Sequence, residues 1–288
     1  MQVQNNTVLA CVDGSNLLPA VCDYAAWIAQ RLAAPLTLLH TIDHHPETAA
    51  ALDLSGNIGV DGSDQLLKDI VALELQRSKL KLQQGKLIMA AARQRVLQSG
   101  IATADLHSRH GSLVESLIEL EECIGVLVVG ARGKVHEDQA DKIGAKLESI
   151  VRSLHKPILV VNGAFKAPER IMLAYDGSAA ADKAVDMVVN SPLCRGLLCH
   201  LVCVSEQDYG GELLEKAANT LKQAPGIKLI SQKLGGNPEQ ALCDYQNRFD
   251  IDLTVMGAFS HSRIHDLLLG SFTAKMLLQS HKPLLLLR

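Results

Sequence analysis

Short apolar runs without polar interruption recur along the chain; two of them are Gly125-Val126-Leu127-Val128-Val129 and Pro157-Ile158-Leu159-Val160-Val161. Continuous rather than alternating hydrophobicity marks strands buried on both faces, as in parallel sheets covered by helices. Between such runs the apolar positions fall at helical spacing. Val21, Ala25, Ile28 and Leu32 form one stripe, and Ala181, Val185 and Val188 form another. Strand therefore alternates with helix. With right-handed crossovers the pattern predicts an α/β fold with doubly wound, five-stranded parallel sheets, whose ligand crevice lies beyond the carboxyl ends of the strands.

The pattern occurs twice. Val8-Leu9-Ala10-Cys11-Val12-Asp13-Gly14-Ser15, an apolar run into Asp-Gly-Ser, returns as Ile171-Met172-Leu173-Ala174-Tyr175-Asp176-Gly177-Ser178 at an offset of 163. Leu38-Leu39-His40 matches Leu198-Cys199-His200 at 160, and Val128-Val129-Gly130-Ala131 matches Val255-Met256-Gly257-Ala258 at 127. His155-Lys156-Pro157-Ile158 matches His281-Lys282-Pro283-Leu284 at 126. Four matches in one order predict two tandem Rossmann-like domains, 1–163 and 168–288, with a linker over 162–169. Such a repeat can keep the self-complementary surface of a homodimer, so the halves are expected to pack as a pseudo-dimer. The fall in offset from 160 to 127 places 33 extra residues of the first copy within 42–106. There Leu66, Ile70, Leu73, Leu80, Leu87 and Ala91 predict a helix from about Asp64 to Ser99, with a bend at Gly85, that covers a sheet face or a subunit contact.

Hydrophobic residues make up 48% of the 288 positions and aromatics 3%, so the core must be built from Leu, Val, Ile and Ala. Lys and Arg number 28 against 31 Asp and Glu, a net charge of −3 that offers no general attraction for nucleic acid or anionic lipid. No apolar run approaches 18 residues, and the first residues lack the basic and apolar regions of a signal peptide. The expectation is a soluble cytoplasmic protein without nucleic-acid or membrane partners. The seven cysteines are odd in number, include no C-x-x-C pair and sit mostly in apolar stretches, as buried thiols of a reducing compartment do.

Candidate chemistry gathers where the fourth strand of each copy gives way to a loop and a helix. In the second copy Met256-Gly257 ends a strand and Gly270-Ser271-Phe272-Thr273 opens the last helix. Glycines let backbone N–H groups approach a ligand, and a hydroxyl beside the free amides of a helix start suits phosphate; the same residues also serve as ordinary caps. Together with the Asp-Gly-Ser after strand one, the Leu-Leu-His strand and the closing His-Lys-Pro strand, this loop resembles the universal stress protein family in its tandem-domain bacterial form. The resemblance spans nearly the whole chain. It implies an ATP-binding pattern of Gly, two residues, Gly, nine residues, Gly, then Ser or Thr. The second copy keeps that spacing as Gly257, Ser260, Gly270 and Ser271, with serine at the middle glycine. The first reads Gly130, Gly133, Gly144 and Ala145, one residue longer and without the hydroxyl.

The resemblance also implies that Asp176 and Asp13 contact adenine, and that Leu201 and Thr41, each following the second-strand His, face it with their backbone. For both aspartates the alternative is an N-cap of the following helix. Gly235 to Glu239 and Gly111-Ser112 would add a further wall, or form only a turn and a helix start. The strands Ile158 to Val161 and Leu284 to Leu287 are implied as the contact between halves. His261 and His265, four apart, and His44-His45 lack a convergent third ligand, so no metal is expected; His40 and His200 are expected to satisfy strand-end hydrogen bonds.

Three functions compete. The first is a stress regulator that binds ATP or AMP, with or without Mg, chiefly in the second half, as a dimer of tandem chains. The second is an enzyme of related fold, against which stand Val12-Asp13-Gly14-Ser15-Asn16 where such enzymes carry Ser-Gly-Gly-x-Asp-Ser, and the lack of a nucleophile, base and orienter at motif spacing. The third is a scaffold that has lost nucleotide binding, which Ser260 and Ala145 keep open.

Overall fold

Each predicted apolar run becomes a strand. In the computed structural model, described over residues 6–42, 60–133, 145–207, 209–258 and 271–288, the first half runs β1 (Thr7–Cys11), α1 (Leu18–Leu32), β2 (Leu36–Ile42), α2 (Val60–Gln98), β3 (Asp105–His110), α3 (Leu113–Leu120), β4 (Ile124–Gly130), α4 (Ala145–Ser153) and β5 (Ile158–Val161). The second half repeats this as β6 (Arg170–Ala174), α5 (Ala179–Asn190), β7 (Leu198–Val204), α6 (Tyr209–Leu221), β8 (Lys228–Leu234), α7 (Pro238–Arg248), β9 (Leu253–Gly257), α8 (Ser271–Gln279) and β10 (Leu284–Leu287).

The strands join in one sheet in the order β3-β2-β1-β4-β5-β10-β9-β6-β7-β8. All neighbours are parallel except β5 and β10, which meet antiparallel at the centre. Leu285 lies opposite Leu159, its own counterpart in the repeat, so the pseudo-two-fold axis passes between them. The halves form the pseudo-dimer that the repeat predicts. One apolar layer, beneath α1, α2, α5 and α6, includes Ile28, Met89, Ala184 and Leu221. The other, beneath α3, α4, α7 and α8, includes Leu117, Ile150, Leu242 and Met276. Both layers take residues from both halves, so the core is continuous across the central strand pair.

The connection between β5 and β6 is pinned rather than loose. Phe165 packs edge-on against Tyr24 of α1 with ring centroids 4.8 Å apart, and Lys166 Nζ stands 2.7 Å from Asp252 Oδ1. Asp252 Oδ2 accepts the Glu169 and Arg170 N–H groups at 2.9 and 3.0 Å. Burial alone would raise the Asp252 carboxyl, but Lys166 and the two N–H donors overcome it and hold the pKa below its ordinary value.

Helix α2 departs from its sequence pattern in two ways. It runs unbroken through Gly85, which is a point of close approach and not a bend: a Cβ there would lie 3.1 Å from His40 Cδ2. Its buried side is Gly85, Met89, Ala92 and Val96, because small residues let the helix settle on β2, whereas Leu73, Leu80 and Leu87 of the predicted stripe are 49%, 58% and 72% exposed and Ala91 is exposed too. The inner end is fastened by Asp23 of α1, a buried carboxylate that takes Arg95 Nε at 2.8 Å, Arg95 Nη2 at 2.5 Å and Ser99 Oγ at 2.8 Å.

All seven cysteines are free thiols; Cys22, Cys194, Cys199, Cys203 and Cys243 are buried and Cys11 and Cys123 half-buried. Burial pushes Cys22, Cys194 and Cys199 up to about 12, and burial with the nearby Asp13 carboxylate does the same to Cys11. At pH 8 the thiolate fraction at these four sites is roughly a thousandfold below that of an unfolded chain, so alkylation counted by mass spectrometry is expected to spare them until urea unfolds the protein. A folded pKa above the unfolded one stabilises below the unfolded value and loses that stabilisation as pH rises. The urea midpoint should therefore fall as pH climbs from 9 towards 12.

Candidate functional site

The strand order of the first half reverses between β1 and β4: the chain leaves β1 towards β2 and β3, then crosses back to β4 and β5. Helices on either side of such a point diverge and leave a crevice at the carboxyl ends of the strands. A crevice of about 580 Å³ opens there, within the range of small-molecule sites. Its floor is Val12, Leu39, Val129 and Ala131; α2 closes one side with Lys81, Gln84, Gly85 and Ile88, and α4 the other with Lys146, Leu147 and Ile150. Among the described lining residues Lys81, Arg132 and Lys146 stand against one carboxylate, Asp13, a balance that favours an anionic ligand.

Asp13, Thr41, Gly130 and Gly133 all line this crevice. Asp13 is half-buried and Oδ1 accepts the Ser15 N–H at 3.0 Å, fixing the loop after β1. It is not an N-cap: α1 begins after Leu17 with no side-chain cap and proline in its first turn. A Cβ on Gly133 would meet Asp13 Oδ2 at 3.0 Å, so the glycine lets the β4 loop reach the carboxylate. His40 Nδ1 lies 2.8 Å from the Val12 carbonyl and ties the ends of β1 and β2 together, as expected of a strand-end histidine. The position of Gly144 lies outside the described residues.

The pairing registers correct one correspondence. Cys11 pairs with Leu39, and its counterpart Ala174 pairs with Val202, so β2 and β7 match at an offset of 163 instead of 160. His40 therefore corresponds to Cys203, and Thr41 to Val204. A slip of three residues turns a side chain to the opposite face. His40 faces α2, while His200 sits in mid-strand under α7 with Nδ1 2.9 Å from Tyr245 Oη. Leu201 is fully buried within β7, away from the strand's end.

The sequence pattern defining the Universal stress protein family matches residues 4–162 and 204–288. The Synechocystis sp. protein named Universal stress protein Slr1230 is 34% identical over 284 residues, covering 98% of this chain and 99% of that one. The chain belongs to the universal stress protein family. Its fold is also that of a universal stress protein from Archaeoglobus fulgidus DSM 4304, 17% identical with a TM-score of 0.69, covering 100% of this chain and 97% of that chain. The protein PA1789 from Pseudomonas aeruginosa PAO1, described as functionally unknown, superposes with a TM-score of 0.59 at 14% identity, over 98% of this chain and 92% of its own.

The second copy of the universal stress protein fold fills the same quarter differently. Asp176 is exposed, its Oδ1 accepting the Ser178 N–H at 3.0 Å, and the N-cap of α5 is Ser178, which accepts from the Ala181 N–H. Tyr175 stands where the first half has Val12 and bonds Asp182 Oδ1 at 2.7 Å. Leu213 of α6 lies against Gly177, and α5 abuts Gly257 so tightly that a Cβ there would be 2.8 Å from Ala180. The positions of Ser260 and Gly270 lie outside the described residues, as does the side chain of Ser271, which opens α8. Gly235 to Glu239 form a turn and a helix start, with Asn237 capping α7. Among the described residues no group of three His, Cys, Asp or Glu could hold a metal, and no helix is long and apolar enough to cross a membrane. The positions of His44, His45, His261 and His265 lie outside that set.

Proposed function

We propose that this universal stress protein is a cytoplasmic adenine-nucleotide-binding regulator that holds ATP or AMP in the crevice of its first half and works as a dimer of tandem chains, without being a dedicated enzyme. The observation that carries the reading is the crevice itself, apolar at its floor and cationic at its walls, at the point where the strand order reverses. The base would lie over Val12, Leu39 and Ile88 beside Asp13 and the Thr41 backbone. The phosphates would run along Gly130 to Gly133 towards Lys146 and the start of α4, where free amides and the helix dipole favour negative charge. The loop spacing and the Ser271 hydroxyl point to the second half, whereas on this reading the stronger site is in the first. Crowding by Leu213 and by α5 at Gly257 supports that choice.

Native mass spectrometry of freshly purified chain should detect co-purified adenine nucleotide at one equivalent per chain, and calorimetric titration of the nucleotide-free protein with ATP and AMP should give a saturable isotherm. The absence of both signals would leave the scaffold reading in its place.

A further inference from the structure

We infer that α2 is a dimerisation helix, and that two copies of this chain pair antiparallel through the leucine row Leu73, Leu80 and Leu87. The inference deepens the dimer part of the proposed function; Lys81 and Gln84 also border the crevice, so its test is run without nucleotide. The row repeats every seven residues, so it forms a straight seam along one side of the helix. That side is about half a turn away from Gly85, Met89, Ala92 and Val96, which face the sheet. The leucines are 49%, 58% and 72% exposed, and no described element of the chain covers them.

The charges beside the seam select both the partner and its direction. Ile70, Arg77, Gln84 and Ala91 complete the seam; Glu74 and Lys81 flank it on one side, and Asp69, Gln76 and Gln83 on the other. In an antiparallel pair centred near residue 78, each Glu74 faces Lys81 of the second copy, giving two symmetric ion pairs, while Gln76 faces Gln83 and Arg77 packs beside Leu80. A parallel pair would stack Arg77 on Arg77 in the seam and set Asp69 against Glu74. Within one helix Arg77 already leans to Glu74, Nη1 to Oε1 3.3 Å. Antiparallel pairing preserves that contact and adds the opposite charge across the interface. The same helix reversed thus matches both the leucine row and the charges beside it.

Sedimentation velocity on the full chain without nucleotide tests this at about 100 μM, well above the Kd expected of a specific dimer. The wild type should be a dimer, and the Leu73→Glu/Leu80→Glu/Leu87→Glu variant a folded monomer that keeps a single cooperative thermal transition, its midpoint lower only by the stabilisation that association supplies at this concentration. Glu74→Lys should weaken the dimer roughly tenfold, and adding Lys81→Glu should restore it. A triple variant that remains dimeric overturns the interface and leaves the dimer standing elsewhere. A dimer strengthened by Glu74→Lys overturns the antiparallel arrangement, and a monomeric wild type overturns both interface and dimer.

Discussion

Alanine at position 257 is expected to destabilise the protein by about 3 kcal/mol, whereas alanine at the equivalent position 130 should cost under about 1 kcal/mol. The sequence presents the two glycines as the same residue of one motif, each closing the fourth strand of its repeat. Their surroundings differ. A Cβ on Gly257 would lie 2.8 Å from the carbonyl carbon and Cβ of Ala180 and from the amide nitrogen of Ala181. Two of those atoms are backbone in the first turn of α5, so relief requires moving the helix off the sheet. A Cβ on Gly130 would meet the Arg132 oxygen and Leu17 side chain at 3.4 Å, ordinary contact that a small adjustment absorbs. Urea unfolding of the two single variants measures the difference directly. Equal midpoints would mean that α5 gives way more easily than close packing of helix on strand allows.

ATP binding should fall between about tenfold and somewhat over a hundredfold in Asp13→Ala, and at least as far in Gly133→Val. Asp13 does two things at the crevice: Oδ1 fixes the loop by accepting the Ser15 N–H, and the carboxylate would accept a hydrogen bond from the base. Losing a hydrogen bond to a charged group costs about 1.5 to 3 kcal/mol, which is the stated range of affinity. Valine at 133 acts through the same group, because its Cβ would stand 3.0 Å from Asp13 Oδ2 and its branches closer still. Gly270→Val should leave the titration unchanged. If instead Gly270→Val removes binding and Gly133→Val does not, the nucleotide sits in the second half.

Much of this fold was legible because buried parallel strands leave unbroken apolar runs and a repeat leaves paired offsets. Val128-Val129-Gly130 and Val255-Met256-Gly257 end equivalent strands as the sequence reads. The histidine match misled because two short apolar strands each followed by His look alike over three residues, and only pairing with β1 and β6 fixes their register. In α2 the sequence holds two apolar rows. Periodicity favours the row with the larger residues, whereas packing on His40 selects the row that contains Gly85 and Ala92. The Asp-Gly-Ser turns were readable as turns. That Asp13 would enter a crevice while Asp176 stays in water depends on Leu213 and α5, which no local pattern encodes.

The antiparallel contact at the centre of the sheet also sets an order of events during synthesis. Strand β5 is Ile-Leu-Val-Val and wholly buried, and its central-side partner is β10, whose residues follow it by about 125 positions. At roughly 5 to 20 residues per second, the ribosome leaves that apolar edge without its mate for about 6 to 25 s. An unpaired apolar edge is a template for any strand that reaches it. During that interval neighbouring nascent chains on one message offer each other the same Leu159-centred edge. A polypeptide released before β10 would thus be drawn into pairing with its own kind, across the axis that the finished chain closes within itself.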